Sequence, residues 1–393
     1  AAGGRPQGAQ HRAAGVRAGH RAAPSDPRRP ALRDPRMREA AVRGHEPTSR
    51  RRGNFVITGV DFMHCNQQGQ AVFPVSRCSG PFDIGRELYD GQTSCIGAQG
   101  VVFDWSGVAF AGVSTLTALV ALHLKISHLG HKVAVIAPNS KDVDRYISRM
   151  DYFNQIGINR VENFSRHEEG NRFLPIARFS ADENRSELPE RVGEAIISHT
   201  PLNGNLKAAV DYIFSEVMDN VCVHAQSRIG GYIGVQFYPA KHAIELCISD
   251  GGCGIPASLK RNALFEDMAD IDVLPSALEY GVGENVSGER GSQGYGRGKG
   301  LAIIKNMVSC ADGRMCIVSG CAGIEVDANG VRKVPDVCYP GTVVSIEMPT
   351  YSHREVTAEE LFFGMEGSVL LDDLLLKYGA SGRADEAAPD VLW

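Results

Sequence analysis

The chain has 393 residues, with 43% apolar and 22% charged side chains and a formal charge of −5. At roughly 150 residues per domain that length means two or three domains, and the composition excludes a wholly disordered chain while allowing a sizeable core. The charge is uneven: residues 1–52 hold 13 Arg, no Lys and four acidic residues, a balance of +9, so the other 341 carry −14, and an acidic body argues against nucleic acid as the main partner.

Residues 1–52 are Arg, Ala, Gly and Pro with almost no aromatic or β-branched content, and such a composition cannot offset the entropy of ordering. The segment is expected to be disordered: an inert basic stretch, or an arm for anionic partners. Because it starts at Ala1 and holds an internal Met37, it is equally read as an extension outside the native chain. From 54 to 160 strand and helix patterns alternate. Val101-Val102-Phe103-Asp104 reads as a buried strand, and Leu116, Leu119, Val120, His123 and Ile126 then recur at helical spacing. Lys132 to Ile136 is a short strand, and Asp142 to Met150 a second helix. That order predicts a small α/β domain with a crossover connection. Residues 161–186, charged and broken by Pro175, read as a linker.

A second domain is predicted over 187–350, with helices near 187–198 and 206–226. In the longer one Leu206, Ala209, Val210, Ile213, Phe214, Val217, Val221 and Ala225 form one apolar stripe. Strands follow at Tyr232–Phe237 and Ala243–Ser249, then a long loop over 256–299, a helix over Leu301–Cys310, and strands at Arg314–Ser319 and Val343–Met348. The tail, 351–393, is read as helical or disordered; Thr357 to Glu360 has the form of a capping box ahead of an amphipathic helix reaching Lys377. The ten cysteines include no CxxC pair and no zinc-like spacing, which suits reduced thiols in a cytoplasmic protein. Polar residues interrupt the longest apolar stretch, Val101 to Leu124, so neither a membrane anchor nor a signal peptide is expected.

Four features of the second domain carry chemistry. Glu216 and Asn220, four apart on a helix, project from one face, where a carboxamide can help hold a hydrated Mg²⁺. Asp250 ends a strand and is followed by Gly251, Gly252 and Gly254, which leave bare backbone around one acceptor. Gly294, Gly296, Gly298 and Gly300 alternate with Tyr295, Arg297 and Lys299 ahead of a helix, a pattern suited to anions. Gly341-Thr342 opens the last strand. The glycines are not a P-loop, because Gln293 stands where its first glycine belongs and Gly300 follows Lys299; nor do they fit GxGxxG, since their spacing is two throughout. Taken singly, the glycines are also compatible with a linker and Glu216/Asn220 with a solvated helix face.

Together, in this order, the four resemble the Bergerat ATPase domain of gyrase, histidine kinases, heat-shock chaperones and MutL mismatch-repair proteins. The resemblance spans about 190–350 and implies an α+β two-layer sandwich that binds ATP and Mg²⁺. Position by position, it implies Asn220 as the Mg²⁺ ligand and Glu216 as the catalytic group that orients or deprotonates the attacking nucleophile. Asp250 would accept from the adenine amino group with support from Thr342, and Gly252 and Gly254 of the same glycine box would help bind the nucleotide. Gly296, Arg297, Gly298, Lys299, Gly300 and Leu301 would meet the phosphates beneath a lid formed by 256–299. The pair His224-Ala225 after the first motif is similar to anti-sigma-factor serine kinases and unlike the Asp-Ala of the chaperones; His224 itself is expected to be a packed, hydrogen-bonded side chain. Val102 to Phe110 followed by Ser114-Thr115-Leu116 resembles the start of a STAS domain, in which Ser114 would be the phosphoacceptor or, more plainly, a helix cap. Phe164 to Glu168 imitates a histidine-kinase phosphoacceptor box around His167, but too little chain follows for the helical hairpin such a kinase needs. The resulting expectation is a regulatory protein of bacterial signalling that performs ATP-dependent phosphoryl transfer or ATP-gated partner switching, with a protein partner and room for a homodimer. The alternatives are an ATPase that drives lid and dimer rearrangement without a protein substrate, and a module that binds ATP without turnover.

Overall fold

The structure is a computed structural model describing residues 66–91, 98–162, 164–166, 172–184, 187–202, 204–282, 299–351 and 356–363. The expectations placed on 1–52, on His167, on Gly296, Arg297 and Gly298, on the later part of the lid and on the tail beyond 363 lie outside these residues. The described residues all belong to one compact unit of mixed α/β structure.

The chain enters through β1 (Ala71–Pro74), α1 (Pro81–Gly91), β2 (Gly100–Asp104), α2 (Val113–His128) and β3 (Lys132–Ile136). These strands make a three-stranded parallel sheet in the order β1-β2-β3. Parallel neighbours require a crossover, and α2 supplies it between β2 and β3. Next come α3 (Lys141–Arg149), opened by Ser140 accepting from the Val143 amide, and α4 (Tyr152–Gln155).

The stretch read as a linker contains a strand, β4 (Phe173–Phe179). Pro175 is tolerated because β4 is an edge strand and its register against β5 (Gly231–Tyr238) shifts between Leu174 and Ala177, where no ladder donor is needed. The following helices, α5 (Leu188–His199) and α6 (Lys207–Val223), and the strand β6 (Ala243–Asp250) lie within a few residues of expectation. The predicted 256–299 loop is not structureless in its first half: α7 (Ile255–Leu259) and α8 (Asp270–Val273) occupy it. The chain continues through α9 (Gly300–Cys310), β7 (Arg314–Gly320), β8 (Ala322–Asp327), β9 (Gly330–Val334), β10 (Tyr339–Pro349) and α10 (Ala358–Leu361). The β8–β9 hairpin has no counterpart in the sequence reading. The capping box does, with Thr357 and Glu360 each accepting from the other's backbone amide.

The second sheet has seven strands, antiparallel throughout, in the order β4-β5-β6-β10-β7-β8-β9. On one face α5, α6 and α9 bury a core that takes in the whole predicted α6 stripe. The other face packs against α1 and α2. Helix α2 therefore lies between two sheets. Its residues 113–123 are all buried, so it is apolar around its circumference rather than amphipathic. Leu116 and Leu119 share one continuous core with Phe103 of the small sheet and Tyr232, Cys247 and Val343 of the large one.

This packing corrects the reading of Ser114. The helix is entered from Gly112, whose lack of a side chain gives room to the Glu245 carboxylate. The amides of Val113 and Ser114 donate to Tyr238 Oη at 3.0 Å and Glu245 Oε1 at 3.1 Å. The Ser114 hydroxyl lies 2.6 Å from that of Ser345 and is buried, so it neither caps the helix nor meets solvent.

Candidate functional site

Register creates the site. Gly231, Asp250, Thr342 and Ser319 lie side by side across β5, β6, β10 and β7. Alternation along β6 and β10 puts Asp250 and Thr342 on the face of Ile248 and Val344, the face that α6 covers. A cavity of about 120 Å³ opens there. Asn220, His224, Asp250, Gly254, Leu301 and Thr342 line it together with apolar walls that include Val217, Ile255, Leu259 and Val344. Four elements predicted separately from the sequence thus meet at one place.

Asp250 is 2% exposed. Burial pushes its carboxyl up to about 6, although the Gly252 amide, the Lys125 ammonium and Thr342 all pull the other way. One carboxylate oxygen accepts from the Gly252 amide at 2.7 Å. The turn admits no side chain at position 252, because a Cβ there would stand 2.1 Å from the Ala225 carbonyl oxygen. The Cys253 amide donates to that same carbonyl at 2.8 Å, which ties the turn to the end of α6. Gly254 has φ +84°, a region that glycine enters without steric cost, and this lets the chain swing into α7.

Ser319, which no local motif singles out, completes the floor. Its fully buried hydroxyl accepts from the Ile255 amide at 2.8 Å, donates to the Gly341 carbonyl at 2.9 Å and lies 3.0 Å from Thr342 Oγ1. It therefore couples α7 to the two strands beneath the cavity.

Glu216 does not line the cavity; it stands beside the entrance to α9. A Cβ on Gly300 would approach Glu216 Cβ to 3.3 Å and Val217 to 3.0 Å, so glycine permits the close crossing of α9 over α6. Lys299, lowered by burial, is held charged in part by Glu216. Of the predicted residues, Asn220, Asp250, Gly254, Leu301 and Thr342 share the cavity, Gly252 shapes its turn, and Glu216, Lys299 and Gly300 sit together next to it. Among the described residues no group of three His, Cys, Asp or Glu forms a protein-only metal cage.

The chain matches no protein-family model and no curated protein sequence. Chemistry must therefore be argued from the site. An apolar slot with a single deep carboxylate suits a flat ring bearing an amino donor, and the adjoining cation and helix start suit an anionic extension of that ring. No helix among the described residues is long and apolar enough to cross a membrane.

Proposed function

We propose that the chain binds ATP with Mg²⁺ through a Bergerat-type domain and uses it for phosphoryl transfer to a protein or for ATP-gated partner switching in bacterial signalling. The observation that carries this reading is the buried carboxylate of Asp250 at the floor of an apolar cavity that Asn220, Leu301 and Thr342 also line. A buried carboxylate is costly unless a donor meets it, and an adenine amino group is such a donor. The α6–β6–α9–β10 order of the contributing residues supports the same assignment.

The donor set also fits the metal. Mg²⁺ retains several waters and takes its remaining ligands from one or two protein oxygens and the nucleotide phosphates. Asn220, which lines the cavity, would supply one oxygen, and the metal would neutralise charge at the phosphates. Lys299, together with the α9 N-terminus, gives those phosphates a cation and amide donors. Glu216 stands beside Lys299 and Gly300 at the start of α9, which supports a role next to the phosphates in orienting or deprotonating a nucleophile and favours turnover over mere binding. The parallel layer over β1–β3 is read as the STAS-like module, docked rather than tethered, with Ser114 sealed in the interface instead of serving as a phosphoacceptor.

Purified protein incubated with γ-labelled ATP and Mg²⁺ tests the reading. Label retained on protein marks a kinase, released phosphate alone marks an ATPase, and binding without either marks a sensor. Absence of ATP binding at millimolar concentration would refute the assignment.

A further inference from the structure

Helix α2 grips the nucleotide-site strands from behind at two places. Near its C-terminus Lys125 Nζ donates to the Gly251 carbonyl at 2.6 Å, directly after Asp250. Midway along the helix the Ala118 carbonyl accepts from Tyr339 Oη at 2.8 Å. That hydroxyl lies 3.0 Å from Ser249 Oγ, whose single proton goes either to it or to the Thr342 carbonyl at 3.1 Å. These contacts are formed on the rear face of the seven-stranded sheet, while Asp250 and Thr342 present their side chains to the cavity on the front. Next to Asp250, the Gly251 backbone is thus bonded directly to α2, and three residues before Thr342 on the same strand Tyr339 is bonded to it as well. The opposite end of the helix is equally fixed, by Tyr238 and Glu245, so α2 cannot slide without breaking buried polar contacts.

We propose that α2 is a positioning element of the nucleotide site, with Lys125 and Tyr339 as its positioning residues, so that the parallel α/β layer sets nucleotide affinity from behind the sheet. Any ligand or partner that moves this layer changes nucleotide affinity, and by linkage nucleotide tightens the layer to the same extent. This inference rests on the nucleotide reading of the cavity for its affinity effects, but the mechanical link is present in the unliganded protein.

The electrostatics run along the same line. Lys125 is partly buried, its cation is sustained by Asp250, and it in turn favours the ionised form of that carboxyl. Among the described residues, the other titratable groups near Asp250 include Tyr339 from β10, Cys253 beside Lys125 in the turn, and His224 at the end of α6 across the cavity.

Three variants of the full chain provide the test: Lys125→Met, Lys125→Arg and Tyr339→Phe. Fluorescent-ATP titration should show about tenfold weaker binding for Lys125→Met, consistent with loss of one charge-assisted bond, and within about twofold of wild type for Lys125→Arg. Tyr339→Phe, which keeps the ring and its packing, should weaken binding about threefold. The pH at which affinity falls by half should move upward in Lys125→Met and stay put in Tyr339→Phe. Hydrogen exchange on the free protein supplies an arm that needs no nucleotide: the Gly252 amide, bonded to Asp250, should exchange about tenfold faster in Lys125→Met while core amides of β5 remain protected. Wild-type affinity and an unmoved pH profile in a folded Lys125→Met would overturn the proposal. If wild type itself fails to bind ATP, the functional reading falls and the exchange arm still decides the link. Unchanged Gly252 exchange there would overturn it.

Discussion

Asp250→Asn should make the free protein more stable while destroying nucleotide binding. The carboxyl is pushed from its ordinary 3.8 up to about 6 by burial. For an acid raised in the folded state, ionisation opposes folding: the contribution is present in full below about pH 4 and is lost as pH rises through about 6. A shift of that size corresponds to about 3 kcal/mol above pH 7. The asparagine carbonyl can still accept from the Gly252 amide, but its NH₂ brings a desolvation cost of about 1–2 kcal/mol. The net gain should then be about 1–2 kcal/mol at pH 7.5, shrinking toward or below zero at pH 4, where wild type is protonated. At about 2 cal/mol/K per residue, unfolding of a unit of this size makes that gain about 2–3 °C in midpoint. Urea unfolding of both proteins at pH 4.0, 5.5 and 7.5, paired with fluorescent-ATP titration, measures both effects. A stability difference that does not change with pH would refute the ionisation argument. Retained affinity in the folded variant would remove Asp250 from the ligand.

Glu216→Ala should bind ATP within a few-fold of wild type and lose 10²–10⁴-fold in turnover, measured as released or transferred label, because assistance by a positioned carboxylate is typically of that order. Burial lowers His123, stacked on Phe103 inside the two-sheet core, to about 4; stability it contributes above pH 6.5 should therefore drain away as pH falls toward 4, by up to about 3 kcal/mol, and His123→Leu should flatten that acid slope in denaturant titrations. Leu119→Ala, in the same core and fully buried, should cost about 2–5 kcal/mol in chemical unfolding. Gly252→Ala should both destabilise the fold and weaken ATP binding, since the new methyl meets the Ala225 backbone; a calorimetric midpoint equal to wild type would show that the turn can yield.

Much of this protein is determined locally. The spacing of Leu206 to Ala225 makes a helix whose stripe is the one buried, and the β-branched runs at 232–237 and 243–249 make adjacent strands. Asp250, Asn220, Leu301 and Thr342 are legible as candidates because each stands at an element's end or on a defined helix face next to glycines that open the backbone. What the sequence cannot express is which elements become neighbours. Ser319 acquires its role only when β7 pairs with β10 and brings it opposite Thr342, a register fixed by distant partners. Pro175 signals a break until β4 is known to be an edge strand, where its missing amide costs nothing. Helix α2 shows one apolar stripe in sequence, yet it buries both sides because a second sheet lies against it, and that same burial turns Ser114 from a candidate acceptor into an interior hydroxyl. Lys125 carries no local signal at all. Helical periodicity and turn chemistry are properties of a few consecutive residues, whereas layer contacts depend on residues more than a hundred positions apart, such as Lys125 and Gly251, and only the folded chain brings them within 2.6 Å.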